Sequence, residues 1–317
     1  MQAFLTTLNI VLPVFAIIGL GALLRNKGLV GPSFLKQTNR LLYFILLPLL
    51  LFYKIGSANF ETNFNLNLTL GMLATLSLGA VSSYGLALAF GYSPEDRGTF
   101  SQGAFRGNLA YVGLPIVLSA YGEAGFTKAG MLMGCLVPAI NLLSILALIL
   151  ARGNRHSATK KRLLRDQLLC NPLIIGSLSG IAWSLSGLPL PDTVSRSLRL
   201  VTGATLPLAL ITIGGAFSLR QLQGDLRKAG LASLFKLAAF PFLNFLVIRL
   251  FGIHGMDLGI AVLLAGTPTA AASYVLAQEL DGNPRLSSSI IILSTIFSAA
   301  SFTVLLTLLG IAGLLSY

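Results

Sequence analysis

Two Gly-x-Pro triplets set in apolar sequence, Gly113-Leu114-Pro115 and Gly266-Thr267-Pro268, are the residues best placed to do chemistry in this chain. Proline removes a backbone donor and its ring clashes with the preceding turn, while glycine loosens the chain. Each triplet is therefore expected to interrupt a helix. Interrupted backbone inside hydrocarbon must face protein or water, because lipid cannot satisfy it. The half-helix that follows presents free N–H groups and the positive end of its dipole. Two such ends meeting at the membrane midplane would hold an anion, with a carboxylate the natural choice. An ordinary proline kink is the alternative reading of either triplet alone.

The polar residues around the breaks are Asn108, Tyr111, Thr267, Thr269, Ser273 and Tyr274. Asn108 lies seven residues before Pro115, two helical turns away, so both sit on one face. An amide there suits an anionic or amide ligand, and its alternative use is a helix–helix hydrogen bond. The expected binding set is Asn108, Tyr111, Gly113, Pro115, Gly266, Thr267, Pro268, Thr269, Ser273 and Tyr274. Arg106 is expected to snorkel towards the interface or pack there, the alternative being recruitment of an anion. Lys54 reads as an interface anchor.

Other chemistries lack their residues. No Asp or Glu falls near the middle of an apolar stretch, with Glu123 and Glu279 towards the ends, which disfavours exchange through a buried carboxylate. There is no phosphate-binding loop. His156 and His254 have no partners suited to catalysis or metal, and Cys135 and Cys170 fall in or beside apolar segments. Neither an enzyme nor a metal or other cofactor is expected.

The elements that must position these residues are membrane helices. Mean hydropathy is +0.82 and only 10% of the 317 residues are charged, too little for a water-soluble surface. The net charge of +12 lies in short loops, so it speaks for topology rather than nucleic acid. Ten apolar stretches, at 4–24, 35–55, 66–90, 98–121, 126–151, 168–186, 197–217, 229–251, 257–279 and 286–314, are long enough to span or nearly so. The N-terminus has no basic residue before its apolar stretch, so the first span is expected to be retained. Arg152, Arg155, Lys160, Lys161, Arg162 and Arg165 make the 5–6 connection the most basic. The 1–2 connection carries Arg25, Lys27, Lys36 and Arg40, and the 7–8 connection Arg220, Arg227 and Lys228. These connections are assigned to the cytoplasm, which leaves both termini outside.

The chain repeats itself. An offset of 159 aligns Pro13 with Pro172, Gly21 with Gly180, Gly28-Leu29 with Gly187-Leu188, Pro32 with Pro191, and Leu47-Pro48-Leu49 with Leu206-Pro207-Leu208. An offset of 153 aligns the two Gly-x-Pro triplets and Tyr121 with Tyr274. Two halves, 1–152 and 165–317, with five spans each must thread the bilayer in opposite directions, the plan of secondary transporters.

Phe105-Arg106-Gly107-Asn108 followed by Tyr111-Val112-Gly113-Leu114-Pro115 resembles the fourth helix of the auxin efflux carrier family. Leu47-Pro48-Leu49, Ala265-Gly266-Thr267-Pro268 and Asp281-Gly282-Asn283-Pro284 also fit it, over the whole chain. The family includes plant PIN-type carriers and bacterial relatives described as malonate or other carboxylate permeases, and this compact chain is more like the bacterial members. The resemblance implies an all-α membrane protein of ten transmembrane helices, a 5+5 inverted repeat with helices 4 and 9 broken and crossing. It implies an elevator-type carrier similar to bile-acid symporters, with a scaffold of helices 1, 2, 6 and 7 that often forms a homodimer. Helices 3–5 and 8–10 would form the moving transport domain in the cell inner membrane. The anion-binding role carries to Asn108, while Thr267 and Thr269 stand where a second amide would be expected. The expected function is secondary transport of a small organic anion by alternating access. Sodium or proton coupling, with sodium held by backbone oxygens at the breaks, and a channel or sensor of the same fold are the alternatives.

Overall fold

A computed structural model describes residues 2–152, 170–216, 222 and 225–315, so most of the basic 5–6 connection, His156 and Arg220 lie outside the described residues. Among these residues every regular element is helical. Seven helices are long and apolar enough to cross a membrane, and two shorter apolar helices, Pro172–Leu185 and Gly255–Ala265, accompany them. Their outward faces carry large apolar side chains such as Leu12, Val81, Leu250 and Ile311, while Ser83, Asn141, Asn244 and Ser298 are buried. Polar inside and apolar outside is the arrangement that hydrocarbon selects.

In chain order the helices are α1 (Gln2–Asn26), α2 (Pro32–Leu41), α3 (Leu47–Gly56), α4 (Phe60–Asn63), α5 (Leu66–Ala89), α6 (Pro94–Phe105) and α7 (Leu114–Arg152). They continue with α8 (Pro172–Leu185), α9 (Asp192–Gly203), α10 (Thr205–Ala216), α11 (Leu226–Leu234), α12 (Phe240–Leu250), α13 (Gly255–Ala265), α14 (Ala272–Glu279) and α15 (Pro284–Ile311). Within α7 the backbone turns at Gly122, with φ 61° and ψ −157°. The fourth and fifth apolar stretches meet at that turn.

Proline widens these helices. Single π turns at Leu42–Leu46, Leu109–Gly113 and Phe235–Ala239 each end two residues before a proline, namely Pro48, Pro115 and Pro241. The missing N–H and the clash with the preceding turn are relieved by opening that turn. This corrects the expectation for Gly113-Leu114-Pro115. The triplet bulges a continuing helix instead of breaking it, and the break lies upstream at 106–108.

Left-handed backbone recurs at a near-constant offset: Gly28 and Gly187 at φ 75° and 68°, Gly91 and Gly252 at 65° and 73°, and Gly122 and Asp281 at 61° and 53°. These residues terminate helices, where a positive φ lets the chain leave the last turn.

Glycine also sets how closely helices approach. α1 packs against α10, and α3 against α8. A Cβ on Gly214 would stand 1.8 Å from the Ile18 carbonyl oxygen, and one on Gly21 2.2 Å from that of Ile211. Small residues are what allow such backbone contact in membranes. Gly214→Val must push α1 and α10 apart, at a cost of about 1–3 kcal/mol or more. The expected result is a lower unfolding temperature in detergent, whereas Gly203→Val, with open space around its Cβ, is expected to be nearly silent.

Candidate crossover site

The two interruptions meet and pair. α6 stops at Phe105 because Arg106 swings to ψ 101°, and α13 stops at Ala265. The Asn108 N–H then donates to the Pro268 carbonyl at 2.8 Å, and the Ala270 N–H to the Arg106 carbonyl at 3.1 Å. Gly107 and Thr269 stand opposite each other in this short antiparallel bridge. Backbone that has left both helices is thus satisfied by the other break. Gly107 admits this approach, since a Cβ there would stand 2.3 Å from Thr267 Oγ1.

Side chains satisfy three of the four helix ends at the crossing, and the start of α14 has no side-chain cap. Thr269 Oγ1 donates to the Gly103 carbonyl at 2.7 Å, near the end of α6, and Thr267 Oγ1 to that of Leu264 at 2.7 Å. The Thr269 N–H donates to Ser294 Oγ at 3.1 Å. Gln102 Nε2 donates to the Ser273 carbonyl at 3.0 Å and so ties α6 to α14. Asn108 caps the turn after the first break, its Oδ1 accepting the Tyr111 N–H at 3.3 Å. That use of the amide oxygen leaves the amide nitrogen, a two-proton donor, for the cavity that Asn108 lines.

This cavity, of about 480 Å³, is lined by Asn108, Thr269, Ala271, Tyr274, Arg285 and Ser288 among others. It therefore brings together three of the residues expected from the sequence, Asn108, Thr269 and Tyr274. Pro115 lines a second cavity of about 420 Å³, with Tyr53, Lys54 and Arg199. Gly113, Gly266, Thr267 and Pro268 are buried in the crossing itself. Tyr111 packs against the cluster of Leu42, Leu46 and Ala209. Ser273 is fully buried, and its hydroxyl has no partner among the described residues.

Cationic groups complete the site. Arg106 does not snorkel: it is 5% exposed and donates through Nη2 to Asn141 Oδ1 at 2.8 Å. Its Nε and Nη1 have no partner among the described residues. Arg285 lines the cavity, and Lys236, 0% exposed, lines a separate small space with Gly107 and Ala265; sequence reasoning named neither for the site. The signal for Lys236 was a lone lysine in the apolar run Leu234-Phe235-Lys236-Leu237-Ala238.

Away from the crossing, each leading half-helix is held at its first turn by the same three-part clamp. Asp96 on α6 receives Lys228 at 2.7 Å and Asn283 at 2.7 Å. Asp257 on α13 receives Lys128 at 2.7 Å and Asn65 at 2.9 Å. Acids at these positions also complement the helix dipole. Beside the first clamp, Asp225 caps α11, and accepting the Lys228 N–H lowers its carboxyl pKa from the ordinary value.

Comparison with known proteins places the chain among membrane transport proteins. The family model described as Membrane transport protein matches residues 6–306. An "Uncharacterized transporter" of Methanothermobacter thermautotrophicus is 25% identical over 94% of this chain and 97% of its own. A Rhizobium meliloti protein named "Putative malonate transporter" is 25% identical over 95% of both chains. The Arabidopsis thaliana protein "Auxin efflux carrier component 6" is 27% identical over 44% of this chain and 26% of its own length.

Proposed function

Since the chain belongs to the Membrane transport protein family, that of the auxin efflux carriers, we propose that it is a secondary carrier of a small organic anion whose carboxylate binds at the crossover. One observation carries the reading. The two breaks pair beside a cavity lined by Asn108 and Arg285, with Arg106 buried two residues before Asn108. Positive charge, a free amide donor and the start of α14 converge there without a buried acid in the cavity lining. The malonate in the name of the Rhizobium meliloti relative is a substrate of this chemistry.

The carrier works by alternating access. Ten spans form two inverted halves, 1–152 and 165–317, and the recurrent left-handed residues and the paired acid clamps support that relation. The scaffold is α1–α3 with α8–α10, through which two copies associate as a homodimer. α5–α7 and α11–α15 move as one body against it. The cavity at Asn108 shares its end with Ala216 and Pro284, the side of the basic connections and hence the cytoplasm of the cell inner membrane. The cavity at Pro115 opens towards the opposite side, where both termini lie. Outward movement of an anion is favoured by a cell-negative potential, about 2.3 kcal/mol per charge per 100 mV.

Reconstituted protein tests the carrier reading. Uptake of labelled malonate is expected to saturate with concentration and to accelerate when unlabelled malonate fills the vesicles. Flux that rises linearly and ignores internal malonate would identify a channel.

A further inference from the structure

Lys236 is the most deeply buried cation among the described residues, and the anion site does not use it directly. It sits in the π turn Phe235–Ala239 at 0% exposure. Among the described residues no carboxylate lies within ion-pair distance of it. Its ammonium donates to the Ala265 carbonyl, the last of α13 before the break. It also stands 4.7 Å from the centre of the Phe240 ring.

This is cation-binding chemistry. The end of α13 presents outward carbonyls and the negative end of its dipole, and an aromatic face attracts positive charge. A second acceptor waits nearby. Asn244 is fully buried, donates through Nδ2 to Thr75 Oγ1 at 3.3 Å, and has an Oδ1 without a partner among the described residues. Lys236, Asn244, Thr75 and Gly107 line a space of about 10 Å³, about enough for one water that joins ammonium and amide. The carbonyl at this break, which a metal ion would require, is already taken by a side chain.

We propose that the Lys236 ammonium is a resident cation of the crossover, occupying from within the chain the place that a coupling sodium or potassium ion would fill. The proposal deepens the carboxylate reading, because a cation tethered behind the break fixes the geometry of the anion site. It makes the carrier independent of sodium and potassium. Burying an ammonium is costly unless oxygen acceptors and an aromatic face replace its water, and here the Ala265 carbonyl and the Phe240 ring supply them, with Asn244 lining the same small space.

The test uses full-length protein without an anion, so that it stands apart from substrate identity. Unfolding temperature is measured in about 0.15 M sodium, potassium or choline chloride. Wild type is expected to unfold at the same temperature in all three. Lys236→Ala is expected to unfold roughly 5 °C lower in choline and to recover at least half of that loss with propylammonium, which replaces the missing arm. Wild-type stabilisation by sodium or potassium over choline would overturn the proposal. A Lys236→Ala protein that matches wild type, or whose deficit no cation reverses, would also overturn it. If the variant does not fold, the wild-type series decides alone. The carboxylate reading fails on a different result, unchanged malonate binding in Asn108→Ala.

Discussion

Asn108→Ala is expected to weaken malonate binding to the purified protein by about 10–100-fold, the loss of a hydrogen bond to a charged group in a desolvated site. The residue does two jobs. Its Oδ1 caps the turn after the first break, and the residue lines the cavity. Removing a cap costs about 1 kcal/mol of stability, so alanine alone mixes the two effects. Asn108→Asp separates them, since aspartate caps as well as asparagine while placing a negative charge where the anion must sit. The expected pattern is near wild-type unfolding temperature with no measurable malonate binding for Asn108→Asp. Binding retained by the aspartate variant would show that the anion lies elsewhere.

Arg106→Gln is expected to move stability and binding in opposite directions. A buried guanidinium with only one described partner, Asn141, is expensive to hold out of water. Glutamine can still donate to the Asn141 oxygen and carries no charge. Without substrate, the variant is therefore expected to unfold about 2–4 °C higher. Its affinity for malonate is expected to fall about ten-fold, because an anion at Asn108 loses a nearby opposite charge in a medium that screens poorly. Thermal unfolding with and without malonate measures both. A variant less stable than wild type, with unaltered affinity, would assign Arg106 a purely structural role.

Much of the fold was legible in the sequence. Apolar runs separated by basic connections mark membrane helices, because hydrocarbon admits little else. The second break was legible too, since Gly266 and Pro268 sit where α13 ends. The first was misplaced by several residues. Pro115 and Gly113 have the same composition as the second triplet, yet there the proline only widens a turn. What ends α6 is the pairing of Asn108 with Pro268, a tertiary contact from 160 residues away that local propensity does not record. The same limit hid Lys236 and the burial of Arg106. Whether a basic side chain reaches the interface or turns inward depends on which face its neighbours cover. Arg285 escaped notice because it follows a turn, and only the packing of α15 beside α14 brings it to the cavity.

Locating a bound anion tests the crossover most directly. A structure with a bromine-labelled dicarboxylate that raises the unfolding temperature is expected to show bromine in the 480 Å³ cavity, with carboxylate oxygens within hydrogen-bond distance of Asn108 Nδ2. Bromine in the cavity beside Pro115 and Lys54, away from the Asn108 amide, or spread over the lipid-facing surface, would contradict a carboxylate site where the two breaks meet.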